Sequence, residues 1–155
     1  MKKITFIAVV ILAAVSCTPQ ENPSLNEGIV VSDAWLRPPL PGKVSAGYFN
    51  ITNHGDKADK LVAAESPIAG SIELHTAAMA DGVMKMRRVD AVDLAPGETV
   101  SFKPGGLHLM LFDVELAADR NDARVTLIFE NAEPVTVLAA LTNTPARKTD
   151  DHTNH

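Results

Sequence analysis

The chain has one cysteine in 155 residues, one tryptophan, one tyrosine and five phenylalanines. A single thiol excludes an internal disulfide framework and any centre built on two thiolates. It is Cys17, so everything downstream is thiol-free. A blue-copper electron carrier needs a Cys beside its His and Met ligands, which removes that class, and no thiol nucleophile is on offer. No Ser/His/Asp array stands in for one, and an acid such as Glu73 is not made a base by spacing alone, so catalysis is not expected. Basic residues are scarce as well: 14 Lys and Arg face 19 Asp and Glu, for a formal charge of −5. With no basic run, nucleic acid is a poor partner. Apolar runs are also short, and none approaches the about 20 residues of a membrane-spanning helix.

Short alternating runs separated by turn residues are what the chain does contain. Strands are expected at Ile29 to Trp35, Val44 to Thr52, Lys60 to Ala64, Ser71 to Thr76, Val83 to Val89, Thr99 to Phe102, Leu107 to Val114, Ala123 to Phe129 and Val135 to Ala140. Pro38-Pro39-Leu40-Pro41-Gly42 and Asn53-His54-Gly55-Asp56 punctuate them as loop and turn. Many short strands argue an all-β sandwich or barrel, here a single domain over residues 28–142. Trp35 reads as core, Arg37 as a surface or loop-bracing charge and His54 as solvated. The length gives no reason to expect more than a monomer.

Two histidines and a cluster of methionines stand out. In Leu107-His108-Leu109-Met110-Leu111, alternation points the leucines into a core and turns His108 and Met110 to the other face. In Ser71-Ile72-Glu73-Leu74-His75 the same logic buries Ile72 and Leu74 and leaves His75 outside. Met84 and Met86 share a face of the next run, and Met79 falls in the connection between Ala77 and Gly82. Apart from Met1, every methionine lies between His75 and Met110 or at that segment's end, a clustering that core filling does not produce. Thioethers are soft neutral donors that favour Cu(I), and imidazole suits copper. Two Met and two His would make a neutral four-coordinate set, suited to carriage more than storage.

The spacing His75, ten residues, Met86, twenty-one residues, His108, one residue, Met110 resembles the H-x10-M-x21-H-x-M pattern of the PCuAC family of periplasmic copper chaperones. Glu73-Leu74-His75-Thr76, Gly82 to Arg87 and Lys103 to Met110 are similar to that family too, and the likeness runs from Gly28 to Leu141. The resemblance selects Met86 as ligand and leaves Met84 as an auxiliary. It implies a cupredoxin-like or immunoglobulin-like antiparallel β-sandwich that carries Cu(I) to a copper centre of respiratory oxidase or to a thiol-bearing assembly factor. Two other readings compete: an envelope copper scavenger that passes the ion to no acceptor, and a structural sandwich without metal.

The ends of the chain have their own character. Residues 143–155 are polar and charged, and His152 and His155 beside Asp150 and Asp151 would offer a harder donor set suited to Cu(II). At the start, Lys2 and Lys3 precede the apolar run Ile4 to Val15, so residues 1–16 read as a secretory signal. Its removal moves the formal charge from −5 to −7. Ala14-Val15-Ser16-Cys17 resembles a bacterial lipobox with Ala14 at the usual Leu position; the other reading is an ordinary small-residue cleavage site. Lipidation is favoured because Cys17 has no partner in the chain, and Thr18 after it points by resemblance to the outer membrane. Residues 17–27, with Pro19 and Pro23, then form a flexible tether on the periplasmic side. Cys17→Ala should release the mature domain from membranes without altering its metal binding; fractionation that found the processed variant still membrane-bound would refute anchoring through Cys17.

Overall fold

A computed structural model describes residues 28–40, 43–117 and 119–144. The expected signal, Cys17, the tether, His152 and His155 lie outside the described residues. Within them the chain is all β: β1 (Ile29–Leu36), β2 (Ser45–Asn53), β3 (Asp59–Glu65), β4 (Ser71–Ala80), β5 (Val83–Arg88), β6 (Val92–Leu94), β7 (Thr99–Phe102), β8 (Leu107–Phe112), β9 (Asp122–Phe129) and β10 (Val135–Leu141). The three residues of β6 are too few for an alternating pattern, and that strand was not foreseen.

Hydrogen bonding runs along one path, β5-β4-β8-β2-β1-β10-β9-β3-β6, with β7 also on β2. β1 carries the path from one layer of the sandwich to the other. It pairs with β2, slips register between Ser32 and Trp35, and then pairs Trp35 and Leu36 with Ala140 and Leu141 of β10. Asp33 takes up the irregularity with φ of 54°, a bulge that bends the strand. The β1–β10 pairing is parallel; the other strand pairings are antiparallel, as expected of the sandwich. Between the layers lie Leu36, Phe49, Ile51, Leu61, Leu94, Phe102, Leu109, Leu111 and Leu127, with the Phe49 and Phe102 rings stacked at 4.4 Å. Gly47 sits where β1, β2 and β8 meet: a Cβ there would stand 2.9 Å from Leu36 Cδ2 and 3.3 Å from Leu109 Cβ. A side chain there would force the Leu36 and Leu109 side chains to shift.

β4 is longer than its alternation suggests. It continues through Ala77–Ala80 to a two-residue turn, Asp81-Gly82, with φ of 54° and 74°. Two successive positive φ angles give the turn whose twist matches antiparallel strands, and Asp-Gly is a preferred pair for it. Met79 is therefore a strand residue, not a loop residue. The alanine-rich run that looks like a connection is strand because β5 pairs with it from His75 to Ala80.

A buried carboxylate ties the loops at the far end. Asp59 accepts hydrogen bonds from the N–H of Lys60 (2.7 Å), Asn131 (3.0 Å) and Ala132 (2.8 Å), joining β3 to the β9–β10 connection. Burial pushes its carboxyl up, but those N–H groups and the Asn131 side chain outweigh it and hold it below the ordinary range. A depressed carboxyl contributes stability that is complete above its unfolded-state value and is lost as pH falls through the folded-state one. Asp59→Asn can keep one oxygen as acceptor for Lys60 and Asn131 but turns its amide N–H₂ toward the Ala132 N–H, and should cost about 1–3 kcal/mol near neutrality. In denaturant titrations the gap to wild type should close as the medium is acidified; a constant gap would contradict this account.

Candidate metal centre

The site is built from three adjacent strands. β4 and β8 pair in the register Glu73↔Met110, Leu74↔Leu109, His75↔His108. Leu109 and Leu111 are fully buried and Leu74 nearly so, and alternation therefore turns Glu73, His75, His108 and Met110 to the opposite face. β5 lies on the other edge of β4 with Arg88 opposite His75, Met86 opposite Ala77 and Met84 opposite Met79. On the far side of β8, Ala46 of β2 faces Met110. One sheet face thus holds both histidines and four of the five methionines.

Hydrogen bonds fix the tautomers of both rings. His108, only 5% exposed, has Nδ1 at 3.0 Å from the Gly106 carbonyl oxygen. A carbonyl only accepts, so Nδ1 carries the proton and Nε2 keeps its lone pair. His75 has Nε2 at 2.8 Å from Glu73 Oε2, so here Nε2 donates and Nδ1 is left bare. Among the described residues, His75 Nδ1 is the buried side-chain nitrogen or oxygen without a hydrogen-bond partner. The two ring centroids are 5.8 Å apart. A buried imidazole lone pair with no donor near it is costly unless an ion takes it up. Glu73 also reaches Arg88 Nη1 at 3.3 Å. The hydrogen bond from His75 holds its carboxyl below the ordinary range against the opposing effect of burial, with Arg88 assisting. A carboxylate that orients a histidine while staying off the ion is a common outer partner of metal sites.

Arg37, Tyr48, Met84, Met86, His108 and Met110 line a cavity of about 200 Å³. His75 does not line it and stands beside His108. Tyr48 lies between Trp35, at 4.4 Å, and His108, at 6.5 Å, so Trp35 is buried as expected but on the site face, outside the main core cluster. Arg37, read from sequence as a surface or loop-bracing charge, stands 6.0 Å over the Tyr48 ring. Two groups escaped the sequence reading. The Glu73 carboxylate was legible, since residues two apart on a strand share a face; the Gly106 carbonyl was not, because backbone acceptors leave no mark on side-chain pattern. Met84 joins Met86 on the cavity wall. Among the described residues, no three His, Cys, Asp or Glu side chains are placed to hold a metal, so the donors that do gather are imidazole and thioether. That set fits a soft monovalent ion better than a hard cation.

Residues 29–141 match the LpqE-like lipoprotein family model. Protein RP573 of Rickettsia prowazekii (strain Madrid E) is 35% identical over 121 residues, spanning 74% of this chain and 67% of its own length. The copper-bound PCuAC domain from PmoF2 superimposes with a TM-score of 0.61 at 32% identity, covering 73% of this chain and 91% of that domain. The solution structure of CuI-DR1885 from Deinococcus radiodurans gives 0.52 at 27%, covering 83% and 85%. The fold is PCuAC-like.

Both tautomers are directly measurable. In nitrogen-edited NMR spectra of the metal-free neutral rings, His75 should carry its proton on Nε2 and His108 on Nδ1. The reverse assignment at either ring would remove the lone pair on which this geometry depends.

Proposed function

The chain belongs to the LpqE-like lipoprotein family, and we propose that this protein is an exported Cu(I) carrier whose ligands are His75, Met86, His108 and Met110. The observation that carries the reading is the cross-strand pair His75↔His108, each ring held by an acceptor that leaves one lone pair free, with thioethers on the same face. The resemblance to copper-bound PCuAC domains supports the choice of ion.

The donor set explains why the ion would move on. Four neutral ligands leave the charge of Cu(I) uncompensated, whereas a dithiol acceptor neutralises it with anionic sulfur. Access is lopsided in the way a carrier needs: His108 is buried, while Met86 is 61% exposed. An incoming thiolate can displace the outer thioether first and leave the imidazoles holding the ion until the second sulfur arrives. The acceptor in this reading is a respiratory oxidase copper centre or a thiol-bearing assembly factor, met on the periplasmic side of a membrane to which Cys17 tethers the domain.

Transfer is the deciding experiment. Cu(I)-loaded protein mixed with excess reduced Cys-x-x-x-Cys acceptor should lose its ion, and retention at equilibrium would replace carriage with sequestration. Met86→Leu and Met110→Leu nearly conserve volume and should leave the fold within about 1.5 kcal/mol of wild type. Combined, they should weaken Cu(I) in competition with a chelator by at least the about tenfold to hundredfold that even outer-partner changes cost. Wild-type affinity in the double variant would sink the ligand assignment.

A further inference from the structure

Three methionines stand in the open at the β4–β5 hairpin, and the four-ligand site uses only one of them. Met79 is 64% exposed, Met84 48% and Met86 61%, so none is there chiefly to fill a core. The register makes Met79 and Met84 directly opposite, and Met86 is two residues along the same face of β5, opposite the small Ala77. Directly opposed side chains have Cβ atoms about 4.5–5.5 Å apart, and diagonal ones lie about 7–8 Å apart, within reach of long side chains. Methionine is unbranched with three rotatable bonds, so three such sulfurs can turn to one point. Nothing competes for that point. Lys85 and Arg87 alternate to the opposite face, and Arg88, on the same face, is drawn to Glu73 at 3.3 Å.

We propose that Met79, Met84 and Met86 form a second, all-thioether site for a soft monovalent cation, Cu(I) or Ag(I), one step outward from the histidines. Three neutral sulfurs without imidazole exclude hard cations and hold a soft one weakly. The assignment rests on the copper reading only for the double role of Met86. That residue belongs to both sets, so an ion taken up at the hairpin can pass inward by exchanging Met79 and Met84 for His75, His108 and Met110 while keeping one sulfur throughout. Met84 also lines the cavity that His108 and Met110 share, which makes the two sites continuous.

Silver titration of protein labelled with ¹³C at the methionine methyls separates the two assignments. In wild type, the first equivalent should move the His75 and His108 ring signals with the Met86 and Met110 methyls; with Met86 engaged there, further Ag(I) should meet only Met79 and Met84 and shift them without saturating. In His75→Ala/His108→Ala, Met79, Met84 and Met86 should shift together and saturate at one equivalent. Met79→Leu/Met84→Leu changes only exposed positions and keeps the apolar surface, so it removes sulfur alone; added to the histidine-free variant, it should abolish the saturable Met86 shift. Met79 and Met84 methyls that stay unmoved while Met86 shifts in the histidine-free variant, or in His75→Ala alone should the double variant not fold, would overturn the hairpin site. If those methyls respond while the histidine rings never do, the four-ligand reading falls and the hairpin site stands.

Discussion

The pairing of β4 with β8 is the constraint on which the site depends. Leu74↔Leu109 and Ile72↔Leu111 face the interior, and that burial fixes His75↔His108 and Glu73↔Met110 on the other side. Side chains alternate with a period of two, so a slip of one residue would drive one histidine toward the core and expose a leucine. The apolar face thus sets the geometry of the polar one. Gly47 serves the same pairing, since a side chain there would strike Leu109, the residue between His108 and Met110.

Electrostatics give the site its character. Its donors are neutral, and the nearby carboxylate, Glu73, is already engaged with His75 and Arg88. A thiolate among the ligands would bind Cu(I) more firmly and release it less readily. Here the ring orientations are prepared in advance by Glu73 and the Gly106 carbonyl, so in the proposed carrier less ordering would be left for an ion to impose. Burial grades outward from His108 to the exposed hairpin methionines, from rigid imidazole to adaptable thioether. The Asp81-Gly82 turn holds that hairpin in register and keeps Met84 opposite Met79.

Most strands were legible because one face of each is buried, and burial writes a period of two into the sequence. β5 is the exception, exposed along its whole length yet still alternating Met84 and Met86 with Lys85 and Arg87; elsewhere, where burial of one face is missing or the strand is very short, the pattern is not seen. β6 is too short to alternate, and the end of β4, from Ala77 to Ala80, exposes residues on both faces and reads as a connection until β5 is seen paired to it. For Arg37 the sequence showed the charge but not what it stands over. An arginine beside prolines looks like a loop charge, and only folding brings Tyr48 beneath it.

By itself, then, the sequence determined the types of candidate donor, their spacing and the strand faces that carry them, because alternation is a local property of extended chain. It also determined the absence of any thiol after Cys17, and with it the neutrality of the donor set. Tertiary structure alone decided that His75 stands opposite His108 and not one pair away, and that Met79 joins Met84 and Met86. It likewise decided which nitrogen of each ring is free. Those are properties of register and of backbone acceptors, set by leucines that must be buried and carbonyls that must be paired.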